Sequence, residues 1–465
     1  MSTGSALERE LRSIVGEDGV LPTDTRAYLA DATESRSISG RADAVVLPST
    51  AEQVRELVAW SDRAEVPLIP RGGGTGFAGG AVPVDGGVVV ALERMTAIRA
   101  FDPGLWRMQV EAGVTTATVR RLARENGLVF PPDPGAGEQS QIGGNIATNA
   151  GGPHAFKYGV TGAWVSGLEV AVAPGELITL GGPIRKDVAG YDLLSLLVGS
   201  EGTLGIVTAA WLKLIPAPEA ALPVVAFYDG IQAGCAAVEA VMASGLPAAV
   251  LEYLDAGALA AAGGSLAAGV PEGAAFAVIS EADGSGAEAT RVRAGLVEVL
   301  EPGSLGVHSP EGLREVAELW RWRDGVSIAV TAQRGGKVSE DIVVPVDRLR
   351  DAITGTLLIG KRHGLEACSW GHAGDGNIHS TFLIEPGSQA ELERAEAAAG
   401  DLFALAVELG GSISGEHGIG LVKGGRLAGQ WDPSAIAIHG RIKAALDPKN
   451  LMNPGKKLAG GPLQV

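Results

Sequence analysis

Two short stretches, GHAGDGNIHSTF and SGEHGIG, concentrate the residues of this chain that can do acid, base or metal chemistry. The first carries His372, Asn377 and His379, the second Glu416 and His417, so three of the seven histidines fall in two motifs. Asp375-Gly376 is a hairpin turn signal, which sets His372 and His379 on adjoining strands on either side of it. Alternation then places Asn377 and His379 on one strand face. Two imidazoles with the Glu416 carboxylate make a donor set for a divalent ion. A His pair across a turn also serves as hairpin bracing, and the residues alone leave both readings open.

Glycine marks the other place where chemistry is available, here from the backbone. RGGGTGFAGG, residues 71 to 80, contains Gly74-x-Gly76-x-x-Gly79, and Glu93 follows where a dinucleotide-binding fold keeps its ribose-binding acid. That fold needs a helix directly after the last glycine. Here AVPVDGGVVVAL follows; Pro83 and the Asp85-Gly86-Gly87 turn exclude a helix, and Val88 to Leu92 reads as a strand. The nicotinamide reading fails on that context. What remains is strand, glycine loop, strand, and such a loop can still cradle a pyrophosphate with bare N–H groups.

The elements that must position these groups can be sketched. Residues 1 to 40 read as a helix and a polar connection, Ala44 to Pro48 opens strand structure, and Ser49-Thr50-Ala51-Glu52 caps a helix running to about Arg63. From Val66 to Pro216 short strands alternate with glycine motifs and helices such as Thr115 to Asn126. Pro216 and Pro218 mark a change of composition, after which VVAFYDG, a helix from Ile231, AVLEYLD and AFAVISEAD form a strand-helix-strand layer. The expected division is 1–218, a cofactor domain with an N-terminal helical segment; 219–401, a substrate domain; and 402–465, a helical segment ending in NPGKKL. The class is α+β.

Composition narrows the function classes. The 68 glycines among 465 residues sit in non-repeating motifs between apolar strands, which argues for close backbone contacts and against disorder. A net charge of -17 without a basic run argues against nucleic-acid binding. Cys235 and Cys368 are far apart in apolar settings, so neither a disulfide framework nor a Cys-ligated cluster is expected. The charged amphipathic N-terminus and the lack of an apolar run of about 18 residues point to a cytoplasmic protein, with peripheral membrane attachment left open.

Three glycine segments share the first half: residues 71 to 80, PPDPGAGEQSQIGGNIATNAGGPHAFKYG (131 to 159) and GSEGTLGIVT (199 to 208). With GYDLLSLLVGSEGTLGIVT, GHAGDGNIH, SGEHGIG and LDPKNLMNPGK, in that order, they closely resemble the FAD-linked vanillyl-alcohol oxidase and p-cresol methylhydroxylase (PCMH) superfamily. The branch they are most similar to is that of D-lactate, glycolate and D-2-hydroxyglutarate dehydrogenases. The resemblance implies a PCMH-type FAD-binding domain, an α+β (ferredoxin-like) cap domain and a C-terminal helical segment returning to the flavin site. It implies FAD held by Arg71, Gly72, Gly73, Gly74, Thr75, Gly76, Gly79 and Gly80, then by Pro132, Gly143, Gly144, Asn145, Thr148, Asn149, Gly151 and Gly152. Tyr158, Gly159, Glu201, Gly202, Gly205, Ile206, Val207 and Asn453 complete the set. Some members attach flavin through a His in the first glycine loop; this loop has none, so the expectation is non-covalent FAD, with His154 the nearest other linkage candidate.

The same resemblance implies that His372, His379 and Glu416 ligate a divalent metal, zinc by preference, that His417 is the catalytic base and that Asn377 lies beside the substrate hydroxyl. Oxidising an alcohol requires loss of the O–H proton as the C–H hydride leaves; a metal acidifies the hydroxyl and a base takes the proton. A 2-hydroxy acid also brings a carboxylate that calls for a cation. Arg323 in LWRWRDG matches the substrate arginine best, Arg321 competes in register, and Lys337 in RGGKVSED is the second candidate. The expected activity is oxidation of a D-2-hydroxy acid to the 2-oxo acid, with oxygen, a quinone or an electron-transfer protein as acceptor. The alternatives are a flavin-binding subunit of a larger oxidase complex and an oxidase of another alcohol. A homodimer is compatible with the sequence.

Overall fold

The computed structural model describes residues 6–22, 25–36 and 38–458. The chain divides into two compact units, one of Met1–Gly151, Val160–Ala217 and Glu416–Val465, the other of Gly152–Gly159 and Pro218–Gly415.

In the first unit a four-stranded sheet has the order Val20–Leu21, Ala44–Val46, Val88–Ala91, Leu68–Arg71. Leu68–Arg71 and Val88–Ala91 run parallel, Leu68 beside Val88 and Arg71 beside Ala91, yet no helix joins them. The loop between them is the 71–80 glycine segment and its continuation. Glu93 lies just beyond the second strand and accepts a hydrogen bond from the Tyr28 hydroxyl at 2.8 Å, so the resemblance of its position to a ribose-binding acid is coincidental. The helices Ala6–Val15 and Ala51–Ala64 cover this sheet, burying Leu11, Val54, Leu57 and Val58 against Val46, Leu68, Val88 and Val90. Thr50 caps the second helix, its side chain accepting from the Gln53 N–H.

A second, five-stranded antiparallel sheet in this unit has the order Ile98–Asp102, Arg107–Glu111, Ile206–Lys213, Val165–Val172, Glu176–Gly181. Helices Thr116–Glu125 and Ile142–Thr148 pack on it through Val119, Ala123, Ile142 and Ile146.

The other unit is built on one seven-stranded antiparallel sheet, in the order Gly306–His308, Ala220–Tyr228, Phe276–Gly284, Val250–Leu254, Ala367–His372, Asn377–Ile384, Gly336–Val343. Leu319 and Trp322 of helix Leu313–Asp324 and Val326 and Val330 of helix Val326–Arg334 bury against Val225, Leu254, Ile279, Trp370 and Leu383. Since alternate residues share a strand face, Glu252 must accompany Leu254, and His372 must accompany Trp370, on the side these helices cover.

Two boundaries differ from the sequence expectation. Residue 402 lies inside the helix Gln389–Glu408, whose buried stripe of Ala395, Ala398, Ala399, Leu402, Phe403 and Ala406 runs unbroken past it, so the first unit resumes only at Glu416. Gly152–Gly159 belongs to the second unit because Lys157 and Tyr158 both bond to Asp283 and His154 bonds to Glu281 at 3.0 Å, two buried carboxylates on one strand.

Candidate functional site

The hairpin forms as the turn signal indicated. Ala367–His372 and Asn377–Ile384 pair antiparallel, with His372 opposite Asn377 and Trp370 opposite His379, joined by a short turn over Ala373–Asp375. Gly376 takes φ 68°, and a side chain there would strike the Val344 carbonyl at 1.9 Å, so only glycine closes this turn. Both imidazoles are buried, edge to face with ring centroids 5.3 Å apart. The Asn377 amide donates to the Ile342 carbonyl at 3.0 Å, which fixes its plane.

The third strand of this region, Gly336–Val343, lays Asp341 opposite His379. Asp341 is fully buried and accepts from the Gly415 N–H at 2.8 Å, holding the SGEHGIG motif at the sheet edge, where Ser412 also exchanges backbone hydrogen bonds with Val343. Glu416 is the next residue along the chain. His372, His379 and Glu416 each offer a ligand atom within 4.8 Å of the others, and these three could hold a metal ion. The residues fit such a group chemically: two nitrogens and a carboxylate oxygen are a familiar open set for a divalent ion.

The cations fall differently from one another. Arg323 is turned inward, with Nε and Nη2 both donating to Glu252 Oε2, the former at 2.7 Å. Glu252 is fully buried, and its other oxygen meets His372 Nδ1. Burial alone would raise the Glu252 pKa, but the Arg323 guanidinium and the His372 ring outweigh it and hold the carboxyl well below its usual range. Lys337 has no carboxylate partner among the described residues. Its ammonium donates to the Ser327 carbonyl at 3.0 Å and to the Ser327 hydroxyl, and lies 5.2 Å from the centre of the Trp370 ring. Burial brings its pKa down to about 8. Trp370 in turn contacts the His379 ring at 6.0 Å. Arg321 is exposed on the same helix as Arg323.

In the first unit, His417 packs against Phe77 with ring centroids 4.7 Å apart, and its Nε2 lies 3.8 Å from the Glu416 carboxylate. The loop that carries it is held by Glu201, whose two carboxylate oxygens accept from the Ile419 and Gly420 N–H groups at 2.8 and 2.7 Å. Gly151 leaves room for Glu416: a β-carbon there would lie 2.6 Å from its carboxylate.

The glycines expected to face a cofactor separate into two kinds. Some close against other backbone: a side chain at Gly73 would meet the Gln139 carbonyl at 2.1 Å, at Gly143 the Ala112 side chain at 2.7 Å, and at Gly205 that of Val170 at 2.8 Å. Others face open space, with no atom near Gly80, only the Gly72 Cα at 3.8 Å from Gly144, and only Asp31 at 4.0 Å from Gly76. Two buried oxygens beside this loop, Asp31 Oδ2 and Gln141 Oε1, have no hydrogen-bond partner among the described residues. An open, glycine-lined strip with orphaned buried acceptors is what a flat polar cofactor would fill and satisfy, so the residues fit FAD. Thr75 is partly exposed in the loop and Pro132 is buried.

The other expected contacts brace this cradle. Arg71 donates to the Ala27 and Ala30 carbonyls, each at 2.7 Å; Asn453 donates to the Gly80 and Glu201 carbonyls at 2.9 and 2.8 Å; Asn145 donates to the Thr116 hydroxyl at 2.6 Å. Thr148 donates to the Gly144 carbonyl, and Asn149, at φ 55°, ends its helix and accepts from the Gly162 N–H. Gly202 packs on Pro70, Gly79 on Leu421, Gly72 on Gly144, and Gly74 at φ 69° beside the Arg71 guanidinium. Ile206 and Val207 are buried in the two apolar cores of the unit. Gly152, Tyr158 and Gly159 belong to the second unit.

Comparison with known proteins finds two family profiles along the chain. The profile described as "FAD linked oxidases, C-terminal domain" matches residues 217–457, and that described as "FAD binding domain" matches 42–181. The chain belongs to the FAD-linked oxidases. It is 36% identical to the glycolate oxidase subunit GlcD of Bacillus subtilis over 90% of this chain and 89% of that one. It is also 36% identical to the D-2-hydroxyglutarate dehydrogenase of Xanthomonas citri pv. viticola, over 94% and 93%. A crystal structure of p-cresol methylhydroxylase with substrate bound shares the fold with a TM-score of 0.81 at 18% identity, covering 97% of this chain and 96% of that one. This FAD-linked oxidase is therefore an oxidoreductase with a PCMH-type FAD-binding fold. No helix among its described residues is long and apolar enough to cross a membrane.

Glu252, Asp341, Asp31 and Gln141 were not singled out from sequence. A lone Glu in the apolar strand AVLEYL was a usable signal for the first, because a buried carboxylate needs a partner. Nothing local marks the other three.

Proposed function

We propose that this FAD-linked oxidase oxidises a D-2-hydroxy acid of the glycolate, D-lactate or D-2-hydroxyglutarate class to the 2-oxo acid, using a divalent ion, zinc by preference, held by His372, His379 and Glu416. The observation that carries this reading is the buried His372/His379 pair with Glu416 in reach and His417 beside it. The names of the relatives support the substrate class. Bound, FAD supplies the acceptor for the hydride and the ion supplies a Lewis acid for the hydroxyl oxygen. His417 takes the hydroxyl proton. Asn377, its plane fixed by the Ile342 carbonyl, stands at the hydroxyl end. Lys337, which has no internal carboxylate to neutralise it, receives the substrate carboxylate, while Arg323 is committed on two of its nitrogens to Glu252. The FAD is held without a covalent link, since the 71–80 loop contains no histidine.

The decisive experiment is a panel of D- and L-2-hydroxy acids with an artificial electron acceptor, run on the flavin-loaded protein before and after chelation. Turnover of a D-2-hydroxy acid that falls on chelation and returns with zinc or manganese supports the reading. Turnover of simple alcohols in preference to every 2-hydroxy acid overturns the substrate class. The relative named as an oxidase subunit favours one further possibility, that electrons leave to a partner protein; comparing oxygen and quinone as acceptors tests it.

A further inference from the structure

The geometry points to Glu252 as the positioning residue that aims His372 at the ion, with Arg323 serving as its built-in counter-charge; this rests on the metal reading above. One fully buried carboxylate does both jobs, Oε1 facing His372 Nδ1 and Oε2 taking Nε and Nη2 of Arg323. The sheet register imposes the pairing. Leu254 lies opposite Trp370 on neighbouring antiparallel strands, so one alternation further along the same face brings residue 252 beside residue 372.

With Nδ1 bonded to a carboxylate, the imidazole has its ring plane fixed and Nε2 is the nitrogen left for a metal. A carboxylate behind a ligating imidazole also makes that ligand a better donor. Such a carboxylate buried alone would be costly. Arg323 supplies the opposite charge from within the same unit, so the pair is neutral before any ion arrives. Helix Leu313–Asp324 is anchored on the sheet by Leu319 and Trp322, whose indole N–H donates to the Ala262 carbonyl at 3.0 Å, and that anchoring sets where the guanidinium arrives.

The test is zinc binding, read apart from turnover. Chelator-treated, flavin-loaded protein is titrated with zinc alone against a chromophoric competitor, for the wild type, Glu252→Gln, Glu252→Asp, His379→Ala and the pair Glu252→Gln with Arg323→Met. The double variant removes the buried cation that Glu252→Gln strands, and so keeps the measurement meaningful if the single variant folds poorly. The expected result is one tight site in the wild type, absent in His379→Ala, and weakened by about 10- to 100-fold in Glu252→Gln and in the double variant. Glu252→Asp recovers part of the loss, and flavin content is unchanged throughout. Wild-type affinity in both Gln variants, with binding still lost in His379→Ala, overturns the role of Glu252 alone. A wild type that takes up no zinc removes the metal reading and this proposal together.

Discussion

The two units meet the demands of chemistry by opposite means. In the first, what could hold a cofactor is backbone and open space: glycines at 76, 80 and 144 leave room, and beside them Asp31 Oδ2 and Gln141 Oε1 have no hydrogen-bond partner among the described residues. In the second the candidate groups are ionisable side chains on one face of a sheet, half-buried Lys337 with the buried Asp341, His379, His372 and Glu252. A large planar cofactor needs room and many weak donors, whereas a small acid and an ion need a few strong groups held rigidly. The units should therefore fail separately when mutated, and that separation can be tested.

The largest effect is expected where the buried ligands are removed. His379→Ala should abolish turnover with FAD still bound, because the glycine strip lies in the other unit. His417→Ala should keep the metal but lose about 10² to 10⁴ in kcat, the range for a general base. Absorbance of the bound flavin, metal analysis and steady-state kinetics on the same preparations check this. Loss of flavin together with metal in His379→Ala would break the comparison.

That contrast also explains what the sequence made legible. The hairpin around Asp375-Gly376, the cap at Thr50 and the absence of a helix after Gly80 are local, and each rests on residues within a few positions of each other. The FAD-binding fold was legible in its strings of glycine, because no other residue turns so tightly or lets chain segments pack so close. The pairing of Arg323 with Glu252 left no trace in the sequence, because nothing local reveals a carboxylate 71 positions away that takes two of its N–H groups. The placement of Gly152–Gly159 was missed for the same reason, since Glu281 and Asp283 reach it across more than a hundred residues. Long-range ion pairs leave no periodicity.

A smaller effect should separate the two kinds of glycine. Gly73→Ala puts a methyl group 2.1 Å from a backbone oxygen that cannot rotate away, so the flavin-free protein should lose stability by about 1 to 3 kcal/mol, the usual cost of overpacking. Gly80→Ala meets no atom within 4 Å and should leave the flavin-free protein's Tm unchanged. If the open strip is where FAD lies, Gly80→Ala lowers FAD affinity instead. Thermal unfolding without flavin, paired with FAD titration, reads both. Equal loss of stability in the two variants would mean the strip is closed by packing.

The smallest effect is one of pH, and it isolates Lys337 from the groups around it. Burial lowers the pKa of this lysine from 10.5 to about 8. Between those values the unfolded chain holds a proton that the folded chain has lost, so the contribution of Lys337 to stability improves as pH rises through that window. Substrate binding runs the other way, because a carboxylate is attracted only by the charged ammonium. KM for a 2-hydroxy acid should thus be flat below pH 8 and rise above it, by up to roughly tenfold per pH unit. Lys337→Arg, whose guanidinium stays protonated, should flatten that rise. Lys337→Met should raise KM at pH 7 and abolish its pH dependence, with kcat and metal content little changed. A wild-type KM independent of pH between 7 and 10 would move the carboxylate to another cation, exposed Arg321 being the next to replace.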